Sequence, residues 1–135
     1  MMIGLAFIFA LVIRIQWYIV PSMNAFGTGN WDMTGGSDPW YMKRVVDYIL
    51  ANNAHLVFDA DRAYPLGGVN PRPPLFTWSI AIVAMILEPM LGDDAVWYAI
   101  LGLPAIYGAL TIFPIATIAK DNFGKSAGVV AAWLI

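Results

Sequence analysis

Leu75-Phe-Thr-Trp-Ser-Ile-Ala-Ile-Val-Ala-Met-Ile-Leu-Glu-Pro-Met-Leu91 decides how the rest of the chain is threaded. The stretch is apolar but short. It sits at the lower limit for crossing a hydrocarbon core of about 30 Å at 1.5 Å per helical residue, and Glu88 and Pro89 interrupt it early. Counted as a span, it reverses the side on which Lys120-Asp-Asn-Phe-Gly-Lys125 lies. Read as a membrane-embedded or re-entrant helix, it keeps residues 21–94 together on one side. Short basic connections favour the cytoplasmic side, so charge favours the second arrangement: residues 21–94 external, 95–119 running inward, 120–125 a cytoplasmic turn, 126 onward running outward.

On either side lie less ambiguous segments. Residues 2–20 have the length and apolarity of a first transmembrane helix, with Arg14 near enough to its end to snorkel, Trp17 and Tyr18 suited to the headgroup boundary, and Pro21 marking the exit. This block lacks the basic start and small-residue cleavage site of a signal peptide, so a retained anchor is expected. Residues 95–119 read as a second transmembrane helix despite Pro104 and Pro114, which membrane helices tolerate when neighbours satisfy the freed carbonyls. Residues 126–135 read as the start of a further transmembrane helix, truncated because no cap or flank follows.

Composition agrees with an all-α integral membrane protein of the multi-pass kind. Of the 135 residues, 60% are hydrophobic and 12% charged, with a mean hydropathy of +0.68, whereas soluble domains carry about twice that charge. Net charge is −2 and the seven basic residues are scattered, so no surface exists to neutralise a nucleic-acid backbone. The absence of cysteine excludes disulfides, thiolate metal sites and thiol nucleophiles.

Chemistry is expected in the loop between the first span and the 75–91 helix, which holds five of the nine acidic residues: Asp32, Asp38, Asp47, Asp59 and Asp61. Turn-rich segments at 24–30 and 66–74 enclose an amphipathic helix expected over 38–53. Asp38-Pro39 supplies a cap and a first-turn proline, Met42, Val45, Val46, Ile49 and Leu50 share a face, and Lys43 and Asp47 stand one turn apart. Carboxylates beside a membrane suit hard cations, which take oxygen ligands and often need only one or two protein carboxylates. Asp38 is the foremost candidate, since Gly35 and Gly36 allow close backbone approach to a substrate. A capping role is the plainer reading, and the two can coexist because a carboxylate has two oxygens. Asp59-Ala-Asp61 has the form of an Asp-x-Asp pair, but no nucleotide fold surrounds it; a turn, or pairing with Arg62, is the expected role. His55 has no second histidine with which to share a metal. Arg72, within Pro71-Arg72-Pro73-Pro74, can bind a phosphate-bearing lipid or reach the headgroups.

The run Gly36-Ser-Asp-Pro-Trp-Tyr-Met-Lys-Arg-Val-Val-Asp-Tyr-Ile-Leu50, followed by Asn70-Pro-Arg-Pro-Pro-Leu-Phe-Thr-Trp78, resembles the first external loop of oligosaccharyltransferase catalytic subunits, archaeal forms most closely. The resemblance implies a GT-C type fold in the cell membrane. It also implies transfer of a glycan from a lipid-linked dolichyl phosphate or diphosphate donor to asparagine in Asn-x-Ser/Thr of an acceptor polypeptide. In that family a Gly-x-Asp element, here Gly36-Ser37-Asp38, supplies an acidic motif whose Asp binds Mn²⁺ or Mg²⁺, so Asp38 becomes a catalytic and metal-ligand candidate. The family's second acidic motif and its Trp-Trp-Asp-Tyr-Gly acceptor motif are not in these 135 residues, which implies that the chain alone is catalytically incomplete. Another polyprenyl-phosphate-dependent GT-C glycosyltransferase, or a non-catalytic membrane subunit, would fit the same residues less fully.

Overall fold

The computed structural model describes residues 2–23, 31, 33 and 37–135. In chain order the elements are α1 (Met2–Met23), α2 (Ser37–Asn52), β1 (Phe58–Asp59), β2 (Gly68–Val69), α3 (Pro74–Leu91), a 3₁₀ turn (Gly92–Asp94), α4 (Ala95–Leu110), α5 (Ile112–Phe123) and α6 (Lys125–Trp133). They fall into two compact units, one made of Met33–Ile100, the other of Met1–Asp32 with Leu101–Ile135.

In the Met33–Ile100 unit, α2 packs on α3. Val45, Val46 and Ile49 recur at helical spacing and are fully buried, as are Thr77, Ile80 and Ala81 of α3. Each buried Val or Ile contributes about 1.5–3 kcal/mol over an exposed one. Thr77 is buried without loss because its hydroxyl donates to the Pro74 carbonyl at 2.9 Å. The opposite face of α2 carries Lys43 and Asp47, paired at 2.7 Å. Helix α3 ends at Leu91, the end expected from the sequence, and holds Pro89 within it. Proline there removes one backbone donor close to the end of the helix, where few bonds remain to be lost. Gly92, at φ 56°, ends the helix with its N–H on the Glu88 carbonyl.

Between α2 and α3 the chain forms a hairpin that an all-α reading omits. β1 and β2 pair antiparallel with Phe58 opposite Val69 and Asp59 opposite Gly68, and Asn70 N–H extends the ladder to the Val57 carbonyl at 2.8 Å. Strands of two residues carry no alternation that a sequence could display. Gly67 enters β2 at φ 73°, a conformation that favours glycine, and a Cβ there would lie 2.5 Å from the ring of the exposed Phe58, which would have to move aside.

The other unit joins α1, α5 and α6 around Ala6, Ile112, Ala116 and Ala132, with Ile3, Phe7 and Ala10 packed on them. Small residues let the backbones of α5 and α6 meet: a Cβ on Gly128 would come within 2.8 Å of the Ala116 carbonyl oxygen. Helix α1 continues through Pro21 to Met23. Arg14 does not reach outward; it lies against Gly108 and donates to the Ile135 carbonyl at 3.0 Å. The segment expected as one helix over 95–119 is divided at Thr111, because Pro114 leaves the Leu110 carbonyl without its helical donor, while Pro104 sits inside α4. The expected turn at 120–125 is mostly helix. α5 runs to Phe123, and the reversal is confined to Gly124, at φ 92°, whose N–H bonds the Lys120 carbonyl.

By length and composition the helical stretch Pro74–Phe123 is long and apolar enough to cross a membrane, and Met2–Gln16 is a shorter apolar helix.

Candidate functional site

Asp38 is the second residue of α2, not the residue before it, and Pro39 is the third. Both positions suit them: the first turn has amide groups without helical partners, so a proline costs no bond and a carboxylate meets the positive end of the helix. The Asp38 side chain is 84% exposed. Its Oδ1 accepts a hydrogen bond from Arg72 Nη2 at 2.7 Å, and among the described residues Oδ2 has no partner. Asp32, Gly35 and Gly36, which the sequence also singles out, lie outside the described residues.

Arg72 is held from behind. Its backbone N–H donates to Asn70 Oδ1 at 3.0 Å, and Asn70 Nδ2 donates to the Leu56 carbonyl at 2.9 Å while lying 3.4 Å from His55 Nε2. Asn70 is itself buried. The Arg72 guanidinium stands 5.4 Å from the centre of the Tyr41 ring, and that of Arg62 stands 5.7 Å from the same centre. Arg62 also donates to the Val69 carbonyl of β2. Ser37, Asp38, Tyr41, Arg62, Pro71 and Arg72 enclose a cleft of about 460 Å³. Tyr41 lies three residues after Asp38 on a helix, so their shared face was readable in the sequence; the approach of Arg62 and Arg72 from the hairpin and the following loop was not.

The Asp-x-Asp pair has a different partner from the one expected. Arg44, from α2, grips Asp59 with two parallel bonds, Nε to Oδ2 and Nη2 to Oδ1, both 2.9 Å, and reaches Asp61 Oδ2 at 2.6 Å. Arg62, the sequence neighbour, turns to Tyr41 instead. Asp59 is buried, and the Arg44 bonds hold its carboxyl below the usual carboxylate range despite the opposing effect of burial. Arg44 is correspondingly held above its ordinary range. Asp59 also accepts the Asp61 backbone N–H at 3.1 Å, the turn role the sequence allowed. These two carboxylates are committed to the arginine that ties the hairpin to α2.

For a divalent cation the described residues offer little beyond Asp38: no group of three or more His, Cys, Asp or Glu side chains among them is placed to hold a metal ion. A carboxylate that is exposed and, among the described residues, has one oxygen without a partner fits a single ligand of a shared site, and Mg²⁺ or Mn²⁺ asks little more of one chain segment.

The sequence model of the family described as Oligosaccharyl transferase STT3, N-terminal, matches residues 7–135. The chain belongs to this family. Among relatives, the Dolichyl-phosphooligosaccharide-protein glycotransferase 3 of Archaeoglobus fulgidus is 31% identical over 131 residues, 95% of this chain and 15% of that protein. The Dolichyl-monophosphooligosaccharide--protein glycotransferase AglB of Haloferax volcanii is 28% identical over 130 residues, 93% of this chain and 12% of its own length. No solved structure matches. The STT3 match runs from within α1 to the end of α6, so the Asp38 cleft lies inside it.

Proposed function

We propose that the chain is the N-terminal, membrane-embedded part of an oligosaccharyltransferase catalytic subunit. In this reading the whole protein transfers a glycan from a dolichyl phosphate or diphosphate carrier to asparagine in Asn-x-Ser/Thr of a polypeptide, and Asp38 is one carboxylate ligand of an Mn²⁺ or Mg²⁺ ion. The relatives' names, dolichyl-phosphooligosaccharide- and dolichyl-monophosphooligosaccharide-protein glycotransferases, support the donor and acceptor classes. The observation that carries the role of Asp38 is its geometry: an exposed carboxylate at the start of α2, fixed through Oδ1 by Arg72 and, among the described residues, open at Oδ2.

A neutral side-chain amide is a poor nucleophile, and a lipid phosphate leaving group accumulates negative charge. When bound, a divalent cation would supply the positive charge that offsets it. Asp38 contributes by holding its carboxylate in one orientation on a rigid helix terminus, and a single carboxylate leaves the rest of the site to other parts of the protein.

Placement in a bilayer is supported by apolar side chains that face outward from their units. Leu5, Ile8, Phe9 and Val12 of α1 are exposed, as are Ile82, Ile86 and Met90 of α3. Helix α3 buries one face against α2 and presents the other to a solvent that hydrocarbon suits better than water, as expected of an embedded helix beneath a polar one.

In the full-length protein, Asp38→Ala is expected to abolish glycan transfer to an acceptor peptide while leaving membrane insertion intact, and chelation followed by Mn²⁺ or Mg²⁺ is expected to remove and restore activity in the wild type. Undiminished glycosylation by the Ala variant would take Asp38 out of the site.

A further inference from the structure

We infer that Arg62 and Arg72, set against Tyr41, form a binding site for a phosphate group beside Asp38. The inference stands apart from the reading of Asp38 as a metal ligand. It begins with charge: the six residues enclosing the cleft include two guanidinium groups and one carboxylate, and the nearby Asp59 and Asp61 are committed to Arg44. Among the described residues the cleft is therefore left positive, and Ser37 adds the N-terminal end of the sixteen-residue α2 to its wall.

Donors are also in surplus. Each guanidinium carries five N–H groups. Among the described residues, Arg72 gives Asp38 a bond from Nη2 alone, and Arg62 gives the Val69 carbonyl a bond from Nη1 alone. Tyr41, which lines the same cleft, keeps its hydroxyl buried without a partner among the described residues. Arg72 is three-quarters buried, held at its backbone by Asn70 and flanked by Pro71 and Pro73, so little side-chain or loop freedom remains to be lost on binding. Planar forks that converge on one cleft match a tetrahedral oxyanion with several acceptor oxygens better than a single-point anion. Asp38 is the competitor, since its carboxylate holds the Arg72 nitrogen that a phosphate oxygen would otherwise engage.

That competition gives the site a signature. Removing the Asp38 charge should strengthen phosphate binding, whereas the same change is expected to abolish glycan transfer, so the two readings fail independently. The test is equilibrium dialysis of radiolabelled inorganic pyrophosphate against the full-length protein in phosphatidylcholine nanodiscs, with EDTA present. Arg62→Gln and Arg72→Gln are each expected to weaken binding at least about tenfold, Arg72→Lys to recover part of the loss, and Asp38→Asn to tighten binding several-fold. A second series adds phosphatidic acid to the nanodiscs: displacement of the label identifies a lipid-borne phosphate as the ligand, and undisturbed binding identifies a soluble one. Equal affinity in wild type and both Gln variants would overturn the site. Should the Gln variants not fold, the exposed Asp38→Asn substitution decides alone, and unchanged or weaker binding by it would overturn the site equally.

Discussion

Asp59 is buried while the guanidinium that neutralises it is half exposed, and this asymmetry fixes what each substitution should do. Removing Arg44 leaves the buried carboxylate without its hydrogen-bonded charge partner, with only the weaker field of Arg62, a loss of about 3 kcal/mol, at the lower end for broken buried pairs because Arg44 itself is half solvated. Asp59→Asn removes the charge as well as the pair and should cost less. The sign of the pH dependence follows from the lowered Asp59 pKa. A carboxyl whose folded pKa lies below its unfolded value of about 3.9 adds stability above that pH, and the contribution is lost as pH falls through the folded value. In Arg44→Gln burial dominates, the carboxyl prefers its neutral form, and stability should instead rise as pH falls through the acid range. Thermal unfolding of both proteins between about pH 3 and 6 measures the two slopes; parallel slopes would mean that Arg44 is not what holds Asp59 ionised. Nothing in the sequence pairs residues 44 and 59. Arg62 is the arginine that adjacency suggests, and only the hairpin turns it away.

Elements were legible in proportion to how far their signals extend along the chain. Helix α2 was readable because a capping-type dipeptide, Asp38-Pro39, precedes a buried stripe at Val45, Val46 and Ile49, and both signals are local. The hairpin was not, since its strands are two residues each and the left-handed backbone it requires at Gly67, φ 73°, is set by the turn and not by any pattern in the sequence. Gly67→Ala should therefore destabilise the hairpin by about 1–3 kcal/mol, combining backbone strain with the ring contact. In a Phe58→Ala background the contact part should vanish and the φ part persist, and a double-mutant cycle on thermal unfolding separates them. Proline is an uneven guide to helix ends: Pro21, expected to mark an exit, is passed by its helix, whereas Pro114 opens a break three residues earlier at Thr111 in a segment expected to be continuous. At the α5–α6 reversal the decisive residue is Gly128. Gly128→Ala puts a Cβ 2.8 Å from both the Ala116 carbonyl oxygen and Lys120 Cβ, and because the first of these is backbone, α6 must move. A loss of about 1–3 kcal/mol is expected, read as a lower melting temperature of the full-length protein in detergent; a neutral substitution would mean that the helices are not in backbone contact.

At the scale of the whole molecule, the path of the chain through a bilayer follows from whether α3 crosses it. Helix α3 is apolar enough to do so, yet it spends one face on the polar α2 and ends at Gly92 before the acidic Asp93 and Asp94. An embedded α3 leaves the Asp38 cleft and the start of α4 on the same side, and the two helices α4 and α5, divided only at Thr111, then carry the chain to the other side, where Lys120 and Lys125 flank the reversal at Gly124. Two basic residues on so short a connection favour the cytoplasm. Because the chain has no cysteine, single reporters can be placed in it cleanly. In a full-length background free of other cysteines, Ala60→Cys on the exposed hairpin should react with a membrane-impermeant maleimide in intact cells, and Asn122→Cys should react only after lysis. If α3 instead crosses, the chain passes the bilayer twice between the two reporters and both must react alike. The same pair of labels thus distinguishes a re-entrant α3 from a spanning one, and labelling of Asn122→Cys alone would invert the orientation drawn from the lysines.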